Sequence, residues 1–236
     1  MKVKKALLKD SVKEIKVGYK RFISILLMAL LGVGFFAGLR ATSPDMVNTI
    51  DTYFKEQNVY DIEVLSTLGL TDEDITALEN IENVENVYGT YSNDGLVKLE
   101  NKENVVKILA IDDVNNPRLI SGNMPQNSNE CVVEEEFLNL IEKQIGDTVS
   151  IELGEAEAES EEEETTPFLK ETNLKIVGTV QSPIYISREK GTSQLGAGKI
   201  DSYIYVPKDN IQSEAYTEIY ITLENREKYE TGSNRY

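Results

Sequence analysis

The side chains available for chemistry in this chain are mainly carboxylates and tyrosines. The 236 residues include 41 aspartates or glutamates and 12 tyrosines, a single cysteine, Cys131, and neither histidine nor tryptophan. Without histidine, the usual catalytic triads and most zinc sites are excluded. One cysteine permits no disulfide bond within the chain, so stability must come from packing. The composition therefore predicts that the protein is not an enzyme.

Adjacent carboxylates come nearest to an acid–base pair, at Asp112 and Asp113 and in the run 134–136. Neighbours on a strand point to opposite faces, so these groups are expected to be solvated surface. Cys131 lies among alternating apolar residues, which favours a small core residue over a nucleophile. We predict no catalytic residue, no metal site and no cofactor.

Two segments resemble ligand loops without meeting their requirements. The glutamate-rich block 154–166 lacks the Asp-x-Asp-x-Asp-Gly spacing of a calcium loop, and its charge density predicts a disordered loop. The glycine-rich stretch 191–199 has Ser193 and Ile200 where a phosphate-binding loop needs glycine and a hydroxyl residue. The region 182–204 is therefore predicted to be a long flexible hairpin projecting from the sheet, with a ligand loop as the alternative.

The tyrosines of the C-terminal half are candidates for binding. Tyr185, Tyr203 and Tyr205 are candidates for lining a partner-binding face. The favoured interpretation is that they are half-buried sheet residues, as tyrosines of strands often are.

One long apolar run precedes the residues discussed above and determines where they lie relative to a membrane. Phe22 to Leu39 is long enough to cross a bilayer as a helix and lies between Arg21 and Arg40. Eight basic and two acidic residues occupy positions 1–21, whereas sixteen basic and thirty-nine acidic residues follow. This asymmetry predicts a cytoplasmic N-terminus and an extracellular location for residues after about 40, at the cell membrane.

A cleaved signal peptide is the main alternative for this run. The run is longer than a usual signal core, Arg40 interrupts the expected cleavage zone, and no A-x-A-like triplet follows. These features favour a retained anchor. Gly34 and Gly38 match the small-xxx-small spacing of packed membrane helices, although the match can also be incidental.

The flanks of the run also have a helical pattern. Residues 1–21 combine an apolar face with lysines, which indicates a basic amphipathic helix on anionic lipid or a simple topology signal. Ser43, Pro44 and Asp45 form a helix-start sequence, and apolar residues at helical spacing continue to about 57. We predict a stalk helix over 40–58.

The remaining sequence predicts an α+β domain with more strand than helix. Thr71 to Asp74 is a capping-box sequence, and 135–143 is predicted to be a second helix. Turns or loops are predicted at 93–95, 101–104 and 121–125. Strands are predicted at 59–66, 84–91, 95–100, 105–111, 131–133, 148–153, 174–181, 203–206 and 218–223. The acidic balance makes a nucleic-acid partner unfavourable.

A series of short stretches then carries a family resemblance, over nearly the whole chain and in order. They lie at 21–27, 32–36, 38–46, 65–71, 119–125, 130–133, 145–148, 176–180, 182–187 and 216–220. Together they resemble the N-terminal part of FtsX-like (MacB-type) ABC transporter permeases of Gram-positive bacteria.

The resemblance implies a transmembrane helix at 22–39 and a two-lobed extracytoplasmic domain. A porter-like α+β lobe would combine 59–115 with 200–225, and a β-rich lobe would be inserted at 116–199. The implied partners are membrane lipid, a cytoplasmic ABC ATPase subunit, and the remaining permease helices or a second permease.

The implied function is coupling of the exterior domain to the ATPase, for export, lipid or peptide extraction, or mechanotransmission. Because the family needs further membrane helices, the chain is interpreted as a fragment, with 226–236 a tail or truncation point. The alternative functions are a single-pass anchored binding or scaffold module and, less favoured, a secreted hydrolase.

Overall fold

The computed structural model describes residues 9–10, 13–99, 102–153, 167–185 and 189–226, without the side chain of Thr67. The residues up to Asp51 and those from Thr52 onward belong to two compact units, each described by itself. The predicted acidic loop 154–166, most of the predicted tail and part of the predicted helix over 1–21 lie outside the described residues. Those three features stay predictions.

Helix α1 spans Tyr19–Glu56 and contains the whole apolar run. Among the described residues it is the one helix long and apolar enough to cross a membrane. Residues 13–17 are also helical, and a bend at Gly18 separates them from α1. The predicted helix start at Ser43 is wrong, because α1 continues through Pro44. The apolar spacing continues on both sides of this proline. The helix therefore tolerates the loss of the one backbone hydrogen bond that proline cannot donate.

Short helices and eleven described strands form the rest of the fold. The helices are α2 (Asp72–Glu79), α3 (Glu135–Leu140) and a 3₁₀ turn (Lys208–Asn210). The strands are β1 (Ile62–Leu70), β2 (Val84–Thr90), β3 (Ser92–Leu99), β4 (Lys102–Ile111), β5 (Arg118–Gly122), β6 (Glu130–Glu134), β7 (Thr148–Ser150), β8 (Glu152–Leu153), β9 (Asn173–Gln181), β10 (Ser202–Pro207) and β11 (Tyr216–Leu223).

A three-stranded antiparallel sheet has the order β1-β11-β2. Helix α2 packs on one face of it, with Ile75 and Leu78 against Ile219 and Ile221. The capping box predicted at Thr71 is confirmed, since the Asp74 carboxylate accepts a hydrogen bond from the Thr71 backbone N–H at 2.8 Å. The opposite face of β11 carries Glu218 and Tyr220. This face meets the second sheet, since Glu218 contacts Ser92 of β3.

The second sheet has the order β5-β9-β6-β10-β4-β3-β8, and β7 also pairs with β9. Two parallel pairs, β10 with β4 and β6 with β9, lie within this otherwise antiparallel sheet. Strand β10 shows how both faces are covered. Ile204 and Val206 join the core that contains Phe137 of α3, whereas Tyr203 and Tyr205 pack into the core on the other face. The predicted α+β fold class is confirmed by this architecture.

The two sheets group the strands differently from the predicted lobes. Strands β3, β4 and β10, all within 59–115 and 200–225, lie in one sheet with β5 to β9 of the predicted insert 116–199. The lobe boundaries themselves stay a prediction.

Two loop predictions are wrong, and a third is right only from residue 123 onward. The predicted turn at 93–95 lies inside β3, and the predicted loop at 121–125 begins as the end of β5. The predicted projecting hairpin is folded back in its described parts, because Ile184, Leu195 and Ile200 pack against the sheet. A β-carbon on Gly196 would meet the Val105 side chain at 2.7 Å, so glycine allows this close approach.

Candidate functional site: the helix exit and the polar layer between the sheets

Helix α1 ends in a built cap. Asn58 has a φ of +49°, the left-handed conformation that closes many helices. Its backbone N–H donates to the carbonyl of Lys55 at 3.2 Å, and that of Val59 donates to the carbonyl of Phe54 at 2.9 Å. These two bonds form a Schellman motif, which satisfies carbonyls at the helix end. The chain therefore leaves the helix in a fixed direction.

The loop after β4 holds this helix end. The N–H of Asn115 donates to the carbonyl of Asn58 at 2.9 Å, and that of Asn116 donates to the carbonyl of Gln57 at 2.8 Å. The side-chain amide of Asn58 donates in return to the carbonyl of Asp113 at 2.7 Å. The helix exit is thus joined to the loop over 113–116 in both directions.

Arg226 closes the same junction from the other end of the domain. Its Nη2 donates to Oδ1 of Asn58 at 2.6 Å, and its Nη1 donates to the carbonyl of Val59 at 3.0 Å. Nη1 also lies 3.9 Å from the buried carboxylate of Asp61, which accepts the N–H of Leu223 at 2.8 Å. One guanidinium therefore connects the helix cap, the approach to β1 and the end of β11. We call these groups the helix clamp: Asn58, Val59, Asp61, Asn115 and Arg226.

A second polar cluster lies where the two sheets meet. Glu218 is buried on β11, and its carboxylate accepts short hydrogen bonds from the hydroxyls of Ser92 and Tyr220. Lys107 Nζ of β4 lies 3.7 Å from the same carboxylate. Because buried charges are costly unless paired and hydrogen-bonded, this network ties the two sheets together.

Glu63 and Tyr60 extend this polar layer along β1. The Tyr60 ring stacks on Tyr220 with centroids 4.5 Å apart, and its hydroxyl donates to Glu63 at 3.4 Å. Burial and the neighbouring charge of Glu218 raise the pKa of Glu63, against a lowering influence of Lys107. Burial raises the pKa of Tyr60 to about 12, so its hydroxyl remains a donor at neutral pH.

A small cavity of about 20 Å³ separates the helix clamp from the polar layer. Asn115 lines it from one side, and its Nδ2 has no hydrogen-bond partner among the described residues. Glu218 and Tyr220 line the other side. The volume suits one water molecule and excludes an organic ligand.

The structure separates the three predicted binding tyrosines by exposure. Tyr203 and Tyr205 are buried, and their hydroxyls donate internally, to the Lys190 carbonyl and to Ser182 Oγ, both at 2.6 Å. Tyr185 is half-buried and stacks on Tyr203 with centroids 3.8 Å apart and planes within 8°. Of the three, Tyr185 keeps accessible surface, and the binding role stays a prediction.

The other predicted site residues have simpler surroundings. A β-carbon on Gly34 or Gly38 would meet nothing within 4 Å, so this face of α1 is free among the described residues. Asp112 forms an ion pair with Lys208, and Cys131 is buried. Among the residues that the structure describes, no group of histidine, cysteine, aspartate or glutamate could hold a metal ion.

The elements define a class of protein: a long apolar helix that precedes an α+β domain in the chain. A family model described as "MacB-like periplasmic core domain" matches residues 22–235. The chain belongs to this family, which confirms the resemblance to MacB-type ABC transporter permeases.

Two solved structures are similar to this chain. The extracellular domain of the noncanonic ABC-type transporter YknZ from Gram-positive bacteria is 12% identical, with 72% of this chain and 83% of that chain covered and a TM-score of 0.42. The periplasmic region of MacB from Actinobacillus actinomycetemcomitans is 14% identical, with 66% and 65% covered and a TM-score of 0.39. No curated protein gives a significant sequence match.

Proposed function

We propose that this chain is the N-terminal part of an ABC transporter permease whose exterior domain is coupled to a cytoplasmic ATPase. Its work would be export, extraction of a lipid or peptide, or mechanotransmission. Family membership supports the permease assignment. The basic N-terminal segment and acidic remainder support a cytoplasmic N-terminus and an extracellular domain after about residue 40.

The helix clamp is the observation that carries the coupling. Asn58 holds the end of α1, and Arg226 bonds to Asn58 and Val59 at once. Movement of the helix end would therefore act on β1 and on the end of β11 together, since Asp61 and Leu223 share the junction. A flexible linker at this point would rearrange when the helix end moved and would not transmit the movement to the strands.

The remaining parts of the proposal concern partners. Gly34 and Gly38 would allow other permease helices, or a second permease, to approach α1 closely. Tyr185 would contribute to a partner-binding face, and the basic segment before α1 would contact membrane lipid. The lobes at 59–115 with 200–225 and at 116–199 would be the units that move.

Copurification tests the ATPase partnership. The tagged full-length gene product is solubilised from its native membrane in a mild detergent, and associated proteins are identified by mass spectrometry. We expect an ABC ATPase in a fixed ratio, with ATP hydrolysis that Arg226→Ala alters and Arg118→Ala does not. Repeated absence of the ATPase would overturn the proposal in favour of a single-pass anchored module.

Cysteine labelling tests the orientation. Lys13→Cys and Ser150→Cys place single exposed thiols before and after α1. In intact cells, a membrane-impermeant maleimide should label Ser150→Cys and not Lys13→Cys. The parent protein is the control, because its own thiol is buried. Labelling of Lys13→Cys alone would contradict the proposed orientation.

A further inference from the structure

Strand β1 is an edge strand with an irregular outer segment. It pairs with β11, and no other described strand pairs with it. Leu65 lies opposite Glu218, and Leu70 lies opposite Tyr216. Between these two pairs, β1 therefore has three more residues than β11. The extra residues form a bulge between these two leucines.

The bulge is a built feature. The backbone N–H of Leu68 donates to Oγ of Ser66 at 3.2 Å, which closes a local turn. Gly69 has a φ of +82°, and a β-carbon there would meet the Ala215 side chain at 2.8 Å. Only glycine fits this position without strain, so the turn has a defined conformation.

The bulge displays leucine side chains to solvent. Leu68 is 95% exposed and Leu65 is 66% exposed, in a chain whose other exposed large apolar residues lie mainly on α1. Ile62, at the start of β1, is 44% exposed. A leucine that a structured turn holds in solvent gains none of the free energy that burial of its side chain would supply. Burial against a partner would supply that free energy, as it does at interaction sites.

The segment that carries the patch is acidic. The segment 61–90, which contains β1, α2 and β2, has eight acidic residues and no basic residue. Seven of the eight are exposed at least in part, and one of them, Glu63, lies within β1 itself. Lys107 lies 3.7 Å from Glu218 and Arg226 lies 3.9 Å from Asp61, so the local field is negative on balance. The negative field disfavours a second copy of this acidic chain and an anionic lipid surface. It favours a partner with positive charge around an apolar pocket.

The bulge also decides the mode of contact. A continuous edge strand can accept an added strand, whereas a bulge interrupts the row of backbone groups that such pairing needs. We propose that the β1 bulge, with Leu65 and Leu68 at its centre, is a docking site for a basic protein segment that buries these leucines and pairs with the surrounding carboxylates. We call this surface the leucine bulge. This inference is independent of the proposed coupling to an ATPase.

A designed peptide provides the probe. The full chain, in zwitterionic detergent micelles, is titrated into a fluorescently labelled short peptide in which leucine alternates with lysine. The matched probe alternates leucine with glutamate. We expect fluorescence anisotropy to show saturable binding of the lysine peptide and none of the glutamate peptide. Equal binding of both peptides would overturn the charge argument.

Variants locate the contact. Leu65→Ser with Leu68→Ser should raise the Kd at least about tenfold, as expected for central apolar contacts. The control is Leu119→Ser with Ile120→Ser, since this pair on β5 is also exposed, at 41% and 46%. Its Kd should be unchanged. Because all four side chains are exposed, each variant is expected to fold, which circular dichroism checks.

Two results would refute the site. One is an unchanged Kd in the double leucine variant together with a higher Kd when Glu161 to Glu164 are all changed to glutamine. The peptide would then bind the acidic segment and not the leucine bulge. The other is self-association of the parent chain that the leucine variant abolishes, because the occupant would then be a second copy. Analytical ultracentrifugation without the probe distinguishes this second case.

Discussion

Arg226 donates a hydrogen bond from Nη2 to Oδ1 of Asn58 at 2.6 Å, although 168 positions separate the two residues. The bond joins the cap of α1 to the residue that follows β11 by three positions. Its partners are amide and carbonyl oxygens that would otherwise face the domain surface. The geometry therefore makes the exit of the helix and the end of the domain one structural element.

Arg226→Ala should destabilise the domain. The change removes two charge-assisted hydrogen bonds and the ion pair with buried Asp61, so we expect a loss of about 2–3 kcal/mol in the free energy of unfolding. Denaturant unfolding of the full chain in detergent measures it. The control is Arg118→Ala, whose single bond to Gln181 is exposed and worth less than about 1 kcal/mol. Equal losses in both variants would contradict a structural role for the clamp.

Glu134→Ala should loosen the segment after residue 189. The Glu134 carboxylate accepts hydrogen bonds from Lys190 and from Ser202 Oγ, the latter at 2.8 Å, and both charged side chains are largely buried. Removal of one partner of such a pair leaves the other charge poorly solvated. We expect faster tryptic cleavage after Lys190, followed by mass spectrometry. Glu152→Ala, which breaks the exposed pair with Lys98, should leave the cleavage rate unchanged.

Glu63→Gln should change how stability depends on pH. The pKa of Glu63 is raised in the folded domain by burial and by Glu218. The folded state therefore binds this proton more tightly than the unfolded state, and the free energy of unfolding falls as pH rises from the unfolded pKa, near 4.5, through the folded value.

We expect Glu63→Gln to be more stable than the parent at neutral pH, and the difference between the two to disappear below the unfolded pKa. Urea unfolding at a series of pH values measures both curves. Glu85→Gln, at an exposed position on β2, serves as the control. A constant difference between Glu63→Gln and the parent at every pH would show that titration of Glu63 plays no part.

Cys131 should react only when the domain opens. Burial raises the pKa of its thiol to about 12, and the side chain lies in the core with Val133 and Ile176. We expect maleimide modification of the native protein to proceed no faster than unfolding, while Ser150→Cys reacts at its exposed position at once. Intact-mass measurement over time gives both rates. Rapid native-state labelling of Cys131 would show that the β6 region opens locally.

Sequence patterns correctly predict those features of the fold that depend only on residues close together in the chain. Thr71 and Asp74 specify the start of α2 through a three-residue spacing. Cys131 is in the core as predicted, although it lies in an apolar run of three buried residues and not in an alternating pattern. The membrane-helix pattern likewise requires only composition and length.

Contacts between distant strands explain the failures. Gly95 has a turn-like context with Asn93 and Asp94, yet it lies within β3 and pairs with Val106 of β4. Glycine is needed there for packing, because a β-carbon would meet Ile151 at 2.7 Å. Strand β5 has five exposed residues, so it lacks the alternation by which strands are detected.

The polar layer and the clamp were missed for the same reason. Glu218 alternates with apolar residues of β11, which predicts a solvent-facing carboxylate, and only the second sheet makes it buried. Asn58 could have been found as a left-handed helix cap, because asparagine favours that position. Its bond to Arg226 has no local signal at all.

The pairing of β1 with β11 constrains how this protein can be made. The two strands are 146 positions apart from Leu70 to Tyr216, so β1 cannot complete its pairing until β11 has been synthesised. Closing so long a loop is entropically costly and makes assembly of this sheet slow. Until β11 has been synthesised, β1 has no partner among the described strands, so an incomplete chain would expose the backbone edge of β1 as well as its leucines.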